Sequence, residues 1–138
     1  MQVIILAGGL GTRLPEYTKL IPKPMVRVKG IPIIQHIIKH YMKYGFNDFL
    51  VAAGYKGQII KDYFQNNKIK GSKVRVINTG LKTLTGGRLK RLEKYIKSTF
   101  LLTYGDGVSD VNLTKLLNYH KKNKKIATVT AVKPMARF

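Results

Sequence analysis

Three glycines, a threonine and an arginine follow a short apolar run at the start of the chain. The run is Val3-Ile4-Ile5-Leu6, and it leads through Ala7 into Gly8-Gly9-Leu10-Gly11-Thr12-Arg13. Glycine permits positive φ and lets backbone N–H groups approach an oxyanion, while the threonine hydroxyl and the arginine guanidinium add side-chain donors. These residue types at this spacing predict a strand that delivers a phosphate-binding loop, with a triphosphate as its natural ligand.

A second cationic signal follows in Pro22-Lys23-Pro24-Met25. Prolines on both sides of Lys23 restrict the backbone that carries it. We therefore expect Lys23 to point back at the glycine-rich loop. The competing interpretation of that loop is an ordinary strand-to-loop corner, because glycine clusters mark turns in proteins of every function.

The glycine-rich loop does not match the two common nucleotide-binding patterns. It lacks the Gly-Lys-Ser/Thr ending of a P-loop, and Leu14 stands where the dinucleotide fingerprint requires glycine. The next strand-like run ends Ala52-Ala53-Gly54, without the acidic residue that would bind a ribose. Both interpretations are therefore disfavoured.

One acidic residue lies between two glycines directly after an apolar run. Residues 99–104 lead into Gly105-Asp106-Gly107, which places a carboxylate where a strand would end. Magnesium binds proteins through few carboxylates together with phosphate oxygens, and it neutralises charge on a phosphorus under attack. Asp106 is therefore our candidate Mg²⁺ ligand, although Asp-Gly is equally a common turn pair.

Cysteine and histidine offer little alternative chemistry. The 138 residues contain no cysteine, so they hold no disulfide, thiolate metal site or cysteine nucleophile. His36 and His40 stand one helical turn apart, but they lie among lysines and no acid accompanies them. We interpret them as residues of a solvated helix face rather than as metal ligands.

The composition is that of an ordinary globular protein. The residues are 44% hydrophobic with a mean hydropathy of -0.12, which suits one domain with a core over residues 1–138. No apolar run approaches membrane-spanning length, and Met1-Gln2 leads straight into the first strand without a basic leader. We therefore expect a cytoplasmic protein with no membrane association.

The charge balance is unusual. Lysines and arginines number 26 against six acidic residues, which gives a formal net charge of +20. Such an excess attracts nucleotides, nucleic acid and anionic membranes alike. The lysines are spread over most elements, with the densest run at residues 121–125, so we favour solvated faces and helix-end charges over a nucleic-acid surface.

Hydrophobic periodicity alternates between strand and helix along the chain. It predicts strands at residues 3–6, 25–28, 48–52, 73–77, 99–104 and 126–132, and helices at residues 33–42, 58–64, 88–96 and 113–120. This order predicts an α/β fold of Rossmann-like type, with a mostly parallel sheet and helices on both faces, because right-handed crossovers place helices there.

Ligands of such sheets gather beyond the carboxyl ends of the strands. That rule brings residues 8–13, residues 83–88 and Asp106 to one rim, although they are far apart in sequence. The hydroxyl-rich stretch at residues 79–87 can offer backbone N–H groups to a base or phosphate there. We therefore expect three loops to converge on one site.

Taken together, these motifs resemble those of the sugar-phosphate nucleotidyltransferases. The family signature Gly-Gly-x-Gly-Thr-Arg-Leu followed by Pro-Lys-Pro matches residues 8–14 and 22–24. The family's cytidylyltransferases are the most similar, through Thr-Gly-x-x-Thr-x-Thr-Gly-Gly-Arg-Leu-Lys-Arg at residues 79–91 and Thr-Tyr-Gly-Asp-Gly-Val-x-Asp at residues 103–110. The resemblance covers essentially the whole chain.

The resemblance implies the fold of the nucleotide-diphospho-sugar transferases and a reaction without a nucleophilic side chain. An oxygen of a sugar-1-phosphate, here glucose-1-phosphate, attacks the α-phosphorus of CTP in line, and pyrophosphate leaves. Catalysis is then mostly positioning and charge stabilisation. The implied catalytic residues are Arg13, Lys23 and Asp106, with Mg²⁺ held by Asp106. The implied nucleotide-binding residues are Leu6, Ala7, Gly8, Gly9, Leu10, Gly11, Thr12, Arg13, Lys23, Thr83, Arg88 and Gly105.

Two departures from the family pattern bear on activity. Family members continue beyond the position of Phe138 with a sugar-binding half that carries a second metal aspartate, so we expect a homo-oligomer or a partner chain to supply it. Between Phe64 and Val74 the cytidylyltransferases carry a longer insertion that helps oligomers share the nucleotide site. The alternative function is a non-catalytic module that binds nucleotide, or nucleic acid through its charge, and basic composition alone is a weak signal for the latter.

Overall fold

The structure is a computed structural model that describes residues 1–11 and 20–132. Its elements in chain order are β1 (Gln2–Ala7), a first 3-10 turn (Lys23–Met25), β2 (Arg27–Val28), β3 (Ile31–Pro32), α1 (Ile33–Met42), β4 (Asp48–Ala53), α2 (Gly57–Asn66), β5 (Lys73–Asn78), α3 (Thr85–Leu92), a second 3-10 turn (Glu93–Tyr95), β6 (Leu101–Tyr104) and α4 (Leu113–Asn123).

Four of these strands form one parallel sheet in the order β5-β4-β1-β6. Every residue of β1 is buried, as expected for a central parallel strand that is covered on both faces. Its penultimate residue, Leu6, is in register with Ala52 of β4 and with Tyr104 of β6. The predicted α/β fold with a mostly parallel sheet is confirmed, and the carboxyl ends of β1, β4 and β6 lie side by side.

Helices pack on both faces of the sheet. On one face α1, α2 and the start of α4 cover alternate residues of the two central strands; the buried members of this core include Val3, Ile5, Phe49, Val51, Ile34, Ile38, Ile60 and Leu113. On the other face α3 and the second 3-10 turn cover the intervening residues Ile4, Leu6, Leu50 and Ala52 through Leu92. The period of two along each strand therefore builds two cores from one sheet.

Helix α1 has the predicted apolar pattern, and it carries both His36 and His40. Ile34, Ile37, Ile38 and Tyr41 are buried at helical spacing, so the helix presents one apolar stripe to the sheet. His36 Nε2 lies 3.0 Å from the carbonyl oxygen of Val28, and His40 Nε2 lies 3.1 Å from that of Val111. Both rings are half-buried rather than solvated, and they tie α1 to different segments.

Several predicted boundaries are wrong. The strand expected at residues 99–104 begins at Leu101, and the helix expected at residues 113–120 continues to Asn123. The helix expected at residues 88–96 begins earlier, at Thr85, and gives way to a 3-10 turn after Leu92. Gly86 and Gly87 therefore lie in its first turn, where tertiary contacts outweigh their low helix propensity. Similarly, residues 23–25 form a 3-10 turn, which leaves only Arg27–Val28 of the predicted strand at residues 25–28.

The predicted strand at residues 126–132 is absent, since those residues form neither helix nor strand. Ile126, Val129 and Val132 are exposed. Alternating β-branched residues favour a strand only when a neighbouring edge pairs with them and a core covers one face. Neither condition is met among the described residues, and periodicity alone carries no information about either.

Within residues 1–11 and 20–132, no helix has the length and apolar character needed to cross a bilayer.

Candidate functional site

A cavity of about 570 Å³ opens at the carboxyl ends of β1 and β6. Its volume lies within the range of small-molecule sites. The lining residues are Leu6, Ala7, Gly8, Gly9, Gly11, Lys23, Pro24, Thr83, Leu84, Thr85, Arg88, Tyr104 and Asp106. The three loops that the sheet topology predicts at one rim therefore meet in a single cavity.

Most of the predicted site residues that the structure describes line this cavity. Leu10, which is half exposed, and Gly105, which is buried behind the wall, are not among the lining residues. Thr12 and Arg13, both expected in the phosphate-binding loop, lie outside the described residues.

Lys23 is presented by the rigid 3-10 turn that its flanking prolines favour. The N–H of Met25 donates to the carbonyl oxygen of Pro22 at 2.8 Å, and the other two residues of the turn, Pro24 and Met25, are buried. The ammonium of Lys23 reaches across the cavity mouth and donates to Asp106 Oδ2 at 2.6 Å. The lysine therefore lines the same cavity as the glycine-rich loop while its charge is paired with the candidate metal ligand.

Gly105 explains how Asp106 reaches this position. Its N–H donates to the carbonyl oxygen of Leu6 at 2.9 Å, which extends the pairing of β6 with β1 by one bond. A Cβ at this position would lie 3.1 Å from that oxygen and 3.2 Å from Pro24 Cγ. Glycine fits this position without any shift of its neighbours, because the end of β6 packs closely against both β1 and the proline next to Lys23.

Arg88 extends from α3 beneath the cavity floor and is only 5% exposed. Its Nη2 donates to the carbonyl oxygen of Gly8 at 2.7 Å, and its Nη1 donates to Thr79 Oγ1 and to the carbonyl oxygen of Gly80, each at 2.8 Å. Burial, and secondarily the charge of Arg91, lower the pKa of Arg88 from its ordinary value. Sequence reasoning identified this residue but not the carbonyl groups that it binds.

Two apolar side chains in the wall were not singled out by sequence reasoning. Tyr104 and Leu84 both line the cavity, and both are largely exposed. The sequence did carry a signal for Tyr104, because it is the last residue of β6. Side chains alternate along a strand, so Tyr104 lies on the face opposite the more buried Thr103. Together with Leu6, Ala7 and Pro24 they give the cavity apolar surface, which suits contact with a planar ring.

The chemistry of the cavity is that of charge recognition. Its described lining contains neither histidine nor cysteine, and in the described part of the chain no three potential metal-ligating side chains lie together. It combines a lysine, a buried arginine, the glycine-rich loop and the first turn of α3, whose N–H groups have no helical partners. One carboxylate, Asp106, stands opposite these donors. The arrangement can bind a polyanion and position it beside a single carboxylate.

Comparisons with known proteins found relatives over most of the chain. Residues 2–137 match the family model described as "Nucleotidyl transferase". The chain is 42% identical to the glucose-1-phosphate cytidylyltransferase of Salmonella typhimurium, covering all of this chain and 63% of that protein. It is 37% identical to a D-glycero-alpha-D-manno-heptose 1-phosphate guanylyltransferase of Campylobacter jejuni, covering 84% of this chain and 52% of that protein.

A solved structure shares the fold. The crystal structure of HddC from Yersinia pseudotuberculosis complexed with GMP-PN superposes with a TM-score of 0.71 at 31% identity, over 86% of this chain and 53% of that one. The chain therefore spans between about half and two thirds of the length of these relatives. With the family model matched over nearly all of its residues, the chain belongs to the nucleotidyl transferase family.

Proposed function

We propose that this chain forms the nucleotide-binding part of a glucose-1-phosphate cytidylyltransferase. The reaction transfers CMP from CTP to glucose-1-phosphate: an oxygen of the sugar phosphate bonds to the α-phosphorus, and the bond from that phosphorus to pyrophosphate breaks. The observation that carries the proposal is the meeting of the glycine-rich loop, Lys23 and Asp106 in one cavity. No nucleophilic side chain is required, because the attacking oxygen belongs to the sugar phosphate.

Each residue of the site has a role that its chemistry supports. The backbone N–H groups of the glycine-rich loop bind triphosphate oxygens, and Lys23 adds a cation for the charge that develops as pyrophosphate leaves. Thr83 and the first turn of α3 hold the nucleoside, with Tyr104 and Leu84 offering apolar surface to the base. Because these groups hold the triphosphate in one orientation, in-line attack is favoured over other approaches.

Magnesium fits the residues present. Asp106 is one partly exposed carboxylate in the cavity, and Mg²⁺ characteristically takes one or two carboxylates and completes its coordination with phosphate oxygens and water. The absence of a three-residue acidic or histidine cluster in the described chain is therefore compatible with a metal shared with the nucleotide. When bound, Mg²⁺ would neutralise phosphate charge and so make the α-phosphorus easier to attack.

The choice of base rests on the relatives. CTP is proposed because the Salmonella typhimurium protein, a cytidylyltransferase, is 42% identical, whereas the guanylyltransferase is 37% identical over a smaller share of the chain. Calorimetric titration with CTP, GTP, UTP, dTTP and ATP in Mg²⁺ tests both nucleotide binding and the choice of base. CTP is expected to bind most tightly. Tighter binding of another triphosphate would change the base, and no heat with any of them would overturn nucleotide binding.

Turnover requires a separate measurement. The test is pyrophosphate release from CTP and glucose-1-phosphate by the purified chain, with gel filtration of the same sample to record its oligomeric state. We expect nucleotide binding by residues 1–138 to exceed turnover, because these residues span 63% of the length of the Salmonella typhimurium relative and turnover also requires the sugar phosphate to be held in line. Robust turnover by a monomer of these residues would contradict this expectation.

A further inference from the structure

The buried side chain of Arg88 joins the ends of three parallel strands. Its guanidinium donates to the carbonyl oxygen of Gly8 just after β1, to that of Ala53 at the end of β4, and to Thr79 and Gly80 just after β5. The distances run from 2.7 Å to Gly8 to 3.3 Å to Ala53. Both terminal nitrogens of the guanidinium are therefore engaged with the protein itself.

Two glycines make room for this guanidinium. A Cβ built on Gly8 would lie 2.1 Å from Arg88 Nη1, and one built on Gly54 would lie 2.4 Å from the same atom. Neither distance is compatible with a real side chain, so a larger residue at position 8 would displace the arginine. A Cβ on Gly54 would also lie 2.7 Å from the Gly8 carbonyl oxygen and 2.8 Å from that of Gly80, so a larger residue there would displace backbone as well. The guanidinium of Arg88 therefore requires glycine at position 8. This requirement is separate from the space that a phosphate would need on the cavity side of the loop.

The charge of Arg88 is compensated mainly by carbonyl dipoles. None of the carboxylates in the described chain lies within ion-pair distance of it. Carbonyl groups near the ends of parallel strands point their oxygen atoms at the guanidinium and satisfy its donors without cancelling its charge. The floor of the cavity is consequently positive and held in place by several strands.

The bond to Gly8 has a consequence for the next residue. The peptide joining Gly8 to Gly9 is trans, so its C=O and N–H groups point in opposite directions. Holding the Gly8 carbonyl toward Arg88 therefore turns the Gly9 N–H away from the arginine. The N–H of Tyr55 also donates to the Gly8 oxygen, at 3.3 Å, which adds a second restraint on the same peptide.

We propose that Arg88 is a positioning residue that orients the Gly8–Gly9 peptide and thereby aims the Gly9 N–H at a phosphate of the bound nucleotide. This inference rests on the proposed function for the identity of the ligand, but the peptide orientation itself exists without ligand. It differs from direct contact between Arg88 and the nucleotide, because both terminal nitrogens of the guanidinium already donate to carbonyl oxygens of the protein.

The first test compares Arg88→Met with Arg91→Met. Arg91 lies on the same helix and donates to the carbonyl oxygen of Thr79 at 2.7 Å, so its substitution removes an equal charge and a similar bond without touching Gly8. With selective ¹⁵N-glycine labelling, Arg88→Met is expected to shift the Gly9 amide signal in the ligand-free protein and to weaken CTP binding about tenfold or more. Arg91→Met is expected to leave the Gly9 signal in place.

The second test keeps the charge of Arg88 but changes the geometry of its donors. Arg88→Lys, which keeps the charge with fewer donors, should give intermediate values and serves where the methionine variant does not fold.

Three results separate positioning by Arg88 from direct contact with the nucleotide and from failure of the proposed function. An unchanged Gly9 signal in ligand-free Arg88→Met and Arg88→Lys would overturn the inference. If CTP binding nevertheless fell in the Arg88 variants, the arginine would contact the nucleotide directly. If wild-type protein bound no triphosphate while the Gly9 signal shifted as expected, the proposed function would fail and the orientation of the peptide by Arg88 would stand.

Discussion

Lys23 Nζ lies 2.6 Å from Asp106 Oδ2, although 83 positions separate the two residues in sequence. This ion pair joins the Pro-Lys-Pro turn to the glycine-flanked carboxylate at the end of β6. Both side chains are about a third exposed, and partly exposed pairs of this kind contribute little to stability. The pair is therefore one that a triphosphate and a divalent cation can separate at small cost, each taking one of the two charges.

Asp106→Asn tests the carboxylate half of the pair. We expect Mg²⁺ to strengthen CTP binding by the wild-type chain, and expect this gain to disappear in the variant because a neutral amide binds Mg²⁺ more weakly than a carboxylate does. In EDTA the variant should bind CTP at least as well as wild type, since one negative charge near the phosphates is gone. Calorimetry in Mg²⁺ and in EDTA measures both effects.

Asp110→Asn is the matched control, because Asp110 is exposed, lies four residues further on and does not line the cavity. It should retain the full Mg²⁺ effect. A variant of Asp106 that kept the effect would show that the metal is held elsewhere.

Lys23→Met tests the cationic half. A charged hydrogen bond to phosphate is worth about 1.5–3 kcal/mol, so its loss should weaken CTP binding roughly tenfold to a hundredfold. Lys61→Met removes the same charge from an exposed position on α2, away from the cavity lining, and should have only a slight effect. Equal losses in the two variants would mean that net charge, rather than a specific contact, draws the nucleotide.

Gly105→Ala tests the packing that brings the pair together. The added methyl group would lie 3.1 Å from the carbonyl oxygen of Leu6 and 3.2 Å from Pro24, so β6 and the first 3-10 turn must move apart. Overpacking of this kind costs about 1–3 kcal/mol. Urea unfolding should show that loss, together with weaker CTP binding. Gly107→Ala is the comparison, because no atom lies within 4 Å of its Cβ position, and a loss as large there would contradict the packing argument.

The net charge of +20 makes some association with nucleic acid at low salt an expected background. Fluorescence anisotropy with single-stranded RNA should show binding that falls steeply as salt is raised and that Lys23→Met and Lys61→Met weaken equally. A complex that survived physiological salt, or one that Lys23→Met alone abolished, would support the alternative of a nucleic-acid-binding module.

Local patterns accounted for much of the fold. Helix α1 and strands β1 and β4 were predicted within a residue or so at most boundaries, because their apolar residues repeat at the periods of helix and strand and are buried in that register. In parallel sheets, ligands generally lie beyond the carboxyl ends of the strands. This rule correctly predicted that Gly8, Thr83 and Asp106 lie at one cavity.

The same reasoning could not find what depends on close approach between distant segments. The prediction of a strand at residues 126–132 failed because a strand needs a neighbouring strand to pair with and a core to cover one face. The start of α3 was predicted too late because the low helix propensity of glycine is a weak effect compared with tertiary contacts.

By itself, then, the sequence determined the order of strands and helices, the parallel sheet and the set of polar residues at its rim, since each follows from the residue types and their local spacing. Only the tertiary structure decided that Lys23 pairs with Asp106, and that Gly8 and Gly54 surround the guanidinium of Arg88. Those contacts join residues up to 83 positions apart, and they depend on the strand order β5-β4-β1-β6 and on distances of a few ångströms, which no local repeat encodes.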